Sequence, residues 1–337
     1  MNEFFENSEL KLTFEVLLCN IGISAKKVAA LSALIFYRDY ILDGGYYPMG
    51  GMDEFAKILS NRFVELGGEL ILNNRVNKIC LYKNTIKGVV LSDGKFIDSK
   101  LVVSNSDATQ TFKDLLADID TKEKKLVEQF KISPPLFALY LGLDCKYSDF
   151  TNETCNMWWV KTNDLDSYYS DLKNNILSDS NNFFMTSFPA AHTNNVDANI
   201  KNTMQFFMYA PYENEDFWGK HRIRVEDKLI NEASAIFKGF KKNIKVKVSA
   251  TPLTFNRYTL NRSGSPYGWA STLDQLSNSV FPQKTSINNL YLVGHWCTIG
   301  SGQGGVPKVL FSGRKAAYLI TKQAKMKWKF KKNILTY

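Results

Sequence analysis

The last glycine-rich stretch of the chain constrains the fold more than any other part of the sequence. Residues 290–293 form a short apolar run of the kind found in strands that are buried on both faces. Glycines then remove side chains where backbone could approach a large ligand closely, at Gly294, Gly300, Gly302, Gly304 and Gly305. Pro307 suits the first turn of a helix, which is expected to continue to Ile320. This order predicts an anion or cofactor site at residues 294–307, here called the glycine platform, although glycine loops without a ligand also exist.

Three stretches of the chain carry a resemblance to a known family. Residues 290–320 run strand, glycine-rich loop, Gly-Val-Pro and then Ser-Gly-x-x-Ala-Ala. Residues 44–52 (Gly-Gly-Tyr-Tyr-Pro-Met-Gly-Gly-Met) precede residues 67–79, and residues 251–259 precede Gly-Ser-Pro-Tyr-Gly at 264–268. In this order the stretches resemble the FAD-dependent phytoene desaturase, carotenoid isomerase and retinol saturase family, which is amine-oxidase-like. The resemblance covers most of the chain.

The resemblance implies a mixed α/β fold with a partial FAD-binding Rossmann-like domain and a mixed-sheet substrate domain. Residues 1–45 would form a helical segment facing substrate or membrane. The remaining units would be residues 46–108 (partial FAD-binding domain), 109–260 (substrate-binding domain), 261–325 (C-terminal part of the FAD-binding domain) and 326–337 (basic tail).

The resemblance also implies which residues line the cofactor FAD. They are Gly294, His295, Gly304, Gly305, Val306 and Pro307, with the Val306 backbone close to the isoalloxazine ring, and a backbone edge at Val76 for the adenine. Position 295 is His where much of the family has Asp. The His295 side chain is expected either to hydrogen-bond ribityl or phosphate oxygens or to satisfy a loop carbonyl. Residues 105–107 resemble the family's Asn-x-Asp, and a polar turn is the alternative.

The first residues of the chain contain no Gly-x-Gly-x-x-Gly, the fingerprint with which the family begins and which holds the FAD pyrophosphate. We therefore expect weak or absent FAD binding by this chain alone. Three interpretations stay open: part of a flavin-dependent oxidoreductase completed by a separate polypeptide that carries the dinucleotide-binding half, a non-catalytic binder of lipids or polyenes, and a subunit that only completes a flavoprotein. The sequence does not choose between desaturation, saturation and isomerisation of a hydrophobic polyene.

Composition narrows the class of protein. Apolar residues make up 45% and charged residues 22% of the 337 residues, as in globular proteins. The five cysteines are scattered without a C-x-x-C, which favours free thiols in a reducing, cytoplasmic setting over disulfides or a zinc site. No secretory leader opens the chain. The net charge of +9 favours solubility first and contact with an anionic membrane second, and it comes without a nucleic-acid motif.

Periodicity predicts the remaining elements. Residues 9–42 are expected to be helical, and residues 28–37 form either a buried helix or one that lies in a membrane interface. A helix after Pro48 would bury Met52, Phe55, Leu59, Phe63 and Leu66 and end at Gly67. Strands are expected at 69–72, 76–81, 86–91, 95–97, 101–104, 137–143, 157–160, 183–188, 204–209 and 244–248. Helices are expected at 108–130 and 226–240, and a loop with a helical turn is expected at 163–180.

No general acid or base stands out in the sequence, because the flavin itself carries the redox chemistry in such enzymes. His192 and His221 have polar neighbours and are expected on the surface. Arg257, Tyr258 and Tyr267 are candidates for a pocket wall, and structural packing is the alternative role for each of them.

Overall fold

The computed structural model describes residues 5–151, 155–162, 164–180, 182–192, 202–278, 281–297 and 305–323. The helices are α1 (Ser8–Leu18), α2 (Ala30–Tyr37), α3 (Gly51–Glu65), α4 (Lys122–Gln129), α5 (Leu165–Ser170), α6 (Leu172–Asn175), α7 (Glu215–Ser234), α8 (Pro252–Thr259), α9 (Leu273–Asn278) and α10 (Gly305–Gln323). The strands are β1 (Val76–Tyr82), β2 (Thr85–Leu91), β3 (Phe96–Asp98), β4 (Val102–Ser104), β5 (Leu136–Leu143), β6 (Met157–Val160), β7 (Phe183–Ser187), β8 (Asn202–Tyr209), β9 (Ile244–Ala250) and β10 (Leu290–Leu292). They form a mixed α/β fold, as predicted.

The largest sheet is antiparallel and has the strand order β6-β7-β8-β5-β9. Its strands lie where the aromatic runs predict them. One face packs against α7 in a core that includes Phe137, Phe206, Trp218 and Leu229. Helix α7 begins at Glu215, eleven residues earlier than predicted, because Asn214 accepts a hydrogen bond from the Phe217 amide and caps it.

The opposite face of this sheet is only partly covered. At one end, Tyr209 packs with Val16 and Cys19 near α1. Along the rest of the face, side chains from β5, β7, β8 and β9 are half-buried or exposed, and we call them the open face: Tyr140, Met185, Phe207, Val246 and Val248. The sheet therefore presents an apolar and aromatic surface without a complete cover among the described residues.

Two smaller sheets share a second core. Strands β1, β2 and β3 form an antiparallel meander, with the predicted turn at Gly94 between β2 and β3. Strands β4 and β10 pair in parallel, with Leu290 opposite Val102. The core beneath them includes Ile79, Phe112, Trp269, Leu290 and Trp296.

The predicted burial of α3 is wrong. The helix forms where expected and ends at a left-handed Gly67, whose φ is 89°. However, Phe55 is only half-buried, and the exposed fractions of Phe63 and Leu66 are 50% and 70%; Met52 and Leu59 are exposed as well. An amphipathic helix buries its apolar face only where another element covers it, and no described element covers this one.

The predicted strand at 69–72 is also wrong. This segment makes no ladder, and Leu70, Ile71 and Leu72 are exposed. A strand requires a neighbour for its backbone hydrogen bonds, and none of the described residues supplies one.

Other corrections concern breaks within helices. The region 9–42 splits after α1 at Gly22, which has a φ of 88°, and α2 exposes Leu31 and Leu34 while burying Phe36, so the prediction of a buried helix fails for one face. Among the described residues, no helix combines the length and apolarity needed to cross a membrane. The predicted helix 108–130 consists of a π-helical turn (Gln110–Leu115) and α4, which together bury Phe112 and Val127.

The remaining differences are smaller. Where a loop with a helical turn was predicted, residues 164–180 contain two short helices, α5 and α6, and Leu165 and Tyr168 are buried under the large sheet. Ile236 lies beyond the end of α7 and is exposed, contrary to the prediction. The basic tail at 326–337 lies outside the described residues.

The main core predicts a clear difference between two aromatic truncations. Phe206 is fully buried in β8, so Phe206→Ala should lower the free energy of unfolding by about 3–5 kcal/mol. Tyr258→Ala, at a mostly exposed position, should change it by about 0.5 kcal/mol or less. Urea denaturation followed by tryptophan fluorescence measures both, and equal effects would contradict this assignment of the core.

Candidate flavin-binding site

The glycine platform starts where two parallel strands end together. Strand β4 ends at Ser104, whose carbonyl accepts the Val293 amide at 2.9 Å. Gly294 follows with a φ of 85° and donates its amide to Ser312 Oγ of α10 at 2.8 Å. This hydrogen bond fixes the end of β10 against α10, two turns after that helix begins.

Asn105 explains why position 294 is glycine. A Cβ at position 294 would lie 2.1 Å from Asn105 Oδ1, and the positive φ disfavours other residues as well. Asp107 forms the polar turn that follows β4, since its buried carboxylate accepts the Thr109 amide at 2.7 Å and the Arg262 amide at 2.5 Å. Residues 105–107 thus join β4 to the loop at 262.

His295 is half-buried in the platform. Its Nε2 lies 3.5 Å from Asn261 Nδ2, and a Cβ on Gly268 would meet the imidazole ring. Burial, with a smaller contribution from the positive charge of Lys308, lowers the pKa of His295 to about 4. The imidazole is therefore neutral at pH 7 and offers one N–H donor and one acceptor.

The two residues after His295 form a rigid wall. Trp296 donates from Nε1 to Asn261 Oδ1 at 2.9 Å, and its carbonyl accepts Trp269 Nε1 at 2.6 Å. The Trp269 and Trp296 rings are perpendicular with centroids 4.9 Å apart. Burial raises the pKa of Cys297 to about 11, and its thiol donates to the Gly294 carbonyl, so this cysteine stays protonated.

The start of α10 is the open part of the platform. Gly305, Val306 and Pro307 are exposed, and a Cβ on Gly305 would meet no neighbouring atom of the described residues within 4 Å. The amides of a first helical turn lack partners within the helix and carry its positive dipole end. Lys308 is half-buried there, burial lowers its pKa to about 8, and it makes no ion pair among the described residues. The exposed backbone at residues 305–307 and the positive charge of Lys308 would suit the carbonyl-bearing edge of a flavin, which accepts hydrogen bonds.

The other predicted site residues lie as follows. Gly304 falls outside the described residues. Val76 begins β1, which lies at the edge of its sheet and, among the described strands, pairs with β2 alone. Its side chain packs against the core that includes Trp296. Its contact with adenine stays a prediction, as do the flavin contacts of the platform residues.

Sequence reasoning did not single out four residues that shape this site: Asn105 as the neighbour of Gly294, Asn261, Lys308 and Ser312. Ser312 belongs to the Ser-Gly pair of the C-terminal signature, so the motif itself was a signal for it. Of the proposed wall residues, Arg257 and Tyr258 are exposed and stack on each other, whereas Tyr267 packs against Gly22. His192 is exposed as expected, and His221 lies half-buried 4.4 Å from the Phe217 ring.

Comparison with models of known protein families identifies the family of the chain. The family model described as "Flavin containing amine oxidoreductase" matches residues 1–321. The chain belongs to this flavin-containing family. The family's cofactor class agrees with FAD, the cofactor that the sequence resemblance implies for the glycine platform.

Curated relatives point in the same direction at low identity. The chain is 24% identical over 327 residues to a 4,4'-diaponeurosporene oxygenase of Staphylococcus haemolyticus, covering 94% of this chain and 62% of the relative. It is 23% identical over 301 residues to the protein of that name from Staphylococcus aureus strain MW2, covering 88% and 59%. The chain thus spans about three-fifths of the length of these relatives.

Solved structures of other proteins share the fold. An oxidoreductase from Methanosarcina mazei superposes with a TM-score of 0.63 at 15% identity, covering 92% of this chain and 65% of that one. Cyclohexylamine oxidase from Brevibacterium oxydans superposes with a TM-score of 0.57 at 13% identity, covering 96% and 67%. These values establish an amine-oxidase-like fold.

The depressed pKa of His295 predicts acid sensitivity. The unfolded chain takes up a proton near pH 6.5 and the folded chain only near pH 4, so the stability that the neutral ring contributes is present above pH 6.5 and is lost as pH falls toward 4. Between pH 7.5 and 5 this loss is about 2 kcal/mol.

Urea denaturation at several pH values measures that loss. His295→Gln should reduce the dependence between pH 7.5 and 5 by this amount, whereas His192→Gln at an exposed position should leave it unchanged. An unchanged pH profile in His295→Gln would contradict a buried neutral imidazole.

Proposed function

We propose that this chain forms the substrate-facing and flavin-covering part of an FAD-dependent oxidoreductase that acts on a hydrophobic polyene. The observation that carries the proposal is that one fold contains both an exposed start of α10 at the glycine platform and an apolar sheet face that the described residues do not fully cover. The relatives named as diaponeurosporene oxygenases support a carotenoid-type substrate.

The open face suits an elongated apolar molecule. Phe207 lies opposite Ala138 and Met185 in the ladder, and Tyr140 lies opposite Val248, so the exposed side chains form neighbouring rows. A polyene placed across these rows would bury apolar surface at about 25 cal/mol per Å². Charged side chains of β9, such as Lys247, point to the other face, where Lys247 pairs with Glu226 of α7 at 2.7 Å.

The chain's own residues would hold and shield the cofactor. When bound, FAD would supply the redox chemistry, and the residues around it would position and shield it. Lys308 and the start of α10 place positive charge beside the platform, and His295 stays neutral there. The wall of Trp269 and Trp296 excludes water from the side next to the core.

A second polypeptide or segment is proposed to complete the cofactor site. Helix α3, strand β4 and helix α10 each expose apolar side chains: Phe63, Leu66, Val103, Leu310 and Phe311. Among the described strands, β4 pairs with β10 alone, so its other edge is free to pair. Parallel sheets are normally covered on both faces. A dinucleotide-binding half would cover these surfaces, extend the sheet and supply the pyrophosphate site.

Two further interpretations rest on specific observations. The open face alone would also serve a non-catalytic binder of polyenes or lipids. The exposed Leu31 and Leu34 of α2, near Lys26, Lys27 and Arg38, support peripheral contact with an anionic membrane surface.

A pair of matched glycine variants tests the platform. In the assembly with the proposed second half, Gly305→Leu should fold normally, because no atom of the described residues lies within 4 Å of the new Cβ, and should lower FAD occupancy at least about tenfold by filling the space proposed for the ring. Gly313→Leu, on the same helix and equally free of neighbours, should keep its FAD. Flavin absorbance per protein, with the melting temperature as a folding check, measures both. Equal FAD content in the two variants would refute the platform.

Co-expression tests the completed enzyme. The chain alone should purify with little or no flavin, and together with the polypeptide encoded directly upstream it should purify yellow. Phe311→Glu should weaken that assembly, because it would bury a charge in the proposed contact. Ile223→Glu, on the exposed side of α7, should not weaken it.

The reaction itself is read from the flavin. Anaerobic addition of an acyclic polyene should bleach the flavin absorbance of the completed assembly. Tight polyene binding without bleaching would favour the non-catalytic binder. Stoichiometric flavin in the isolated chain would overturn the need for a second half.

A further inference from the structure

A cavity lies apart from the glycine platform, between the turn after α1, the segment before β5 and the start of α9. It has a volume of about 790 Å³, within the ~300–1,000 Å³ typical of small-molecule sites. Its walls come from residues 23–28, 131–134 and 270–274, with Tyr169. A backbone bridge between Val28 and Thr272 fixes two of these walls relative to each other.

The walls combine apolar and hydroxyl-bearing side chains. Ile23, Ile132, Pro134 and Leu273 supply apolar surface. Ser24 is almost fully buried, and its Oγ has no hydrogen-bond partner among the described residues. Because this oxygen has almost no exposed surface, a ligand in the cavity would meet the apolar walls and not the Ser24 hydroxyl.

Charge at the cavity is mainly positive. Lys26 pairs with Asp166 at 2.7 Å, and Lys131 pairs with Asp274 at 2.9 Å. Lys27 lines the same cavity and makes no ion pair among the described residues. One ammonium group is therefore left for an anionic ligand group.

The cavity also adjoins the end of the large sheet. The Tyr169 ring lies 4.9 Å from the ring of Tyr209, the last residue of β8. An apolar tail in the cavity would thus lie against aromatic side chains while its polar end faces Lys27.

We propose that this cavity is a second binding site, which takes an elongated apolar molecule ending in a carboxylate. The carboxylate contacts the Lys27 ammonium, and the tail lies along Ile132, Leu273 and Tyr169. The lining of the site includes none of the platform residues.

The test uses cis-parinaric acid, a fluorescent conjugated fatty acid, and its methyl ester, titrated into the full chain. The acid should bind saturably and more tightly than the ester. Lys27→Gln should weaken binding of the acid about fivefold, the order expected for one partly screened ion pair, and leave the ester unchanged. Lys27→Arg should restore the affinity for the acid, and Lys87→Gln on β2 is the matched lysine control.

A second variant locates the tail. Leu273 is exposed at the cavity wall, so Leu273→Trp should fold and should weaken acid and ester alike by filling the space. Ile223→Trp on α7 is its control and should change neither. Binding that never saturates, that ignores Leu273→Trp, or that is equal for acid and ester and insensitive to Lys27→Gln would overturn the proposal. All readings are independent of flavin content, so they remain decisive if the proposed redox function fails.

Discussion

The hydrogen bond from the Gly294 amide to the Ser312 hydroxyl is the contact on which the candidate site depends. It joins the end of a buried parallel strand to a helix whose first turn is open. The left-handed backbone at Gly294 directs the chain away from the sheet toward α10, and Asn105 fills the space where a side chain would otherwise lie. Together with the hydrogen bond from Gln283 Nε2 to the Ser312 carbonyl at 2.9 Å, this junction positions α10 relative to Trp296 and His295.

Burial gives the site its chemical character. It keeps His295 neutral, keeps the Cys297 thiol protonated and leaves Lys308 as a partly desolvated cation. At pH 7 the Cys297 thiol is protonated and Lys308 is mostly charged, so neither is mainly in its nucleophilic form, which agrees with a site whose reactivity comes from its cofactor. The protein then contributes position, positive charge and the exclusion of water.

Local sequence signals predicted most elements correctly and failed where burial depends on a distant partner. The strands β4 and β10, the aromatic sheet and the Gly67 helix end follow from apolar runs and glycine positions, whereas the pairing of β4 with β10 emerges only in the fold. The burial of α3 and a strand at 69–72 were wrong, because periodicity shows which face is apolar but not what covers it. Ser312 and Asn261 were missed for a related reason. Ser312 lies 18 positions from Gly294 and Asn261 lies 34 positions from His295, so each contact arises only in the fold.

The most direct measurement is hydrogen exchange of the amides in the first turn of α10, in the completed assembly with and without FAD. If the flavin lies against this backbone, exchange at Val306 and Lys308 should slow severalfold or more on FAD binding, while exchange near Tyr318 stays the same. Unchanged exchange at Val306 and Lys308 in a fully flavin-loaded assembly would contradict the account, because the ring would then lie elsewhere.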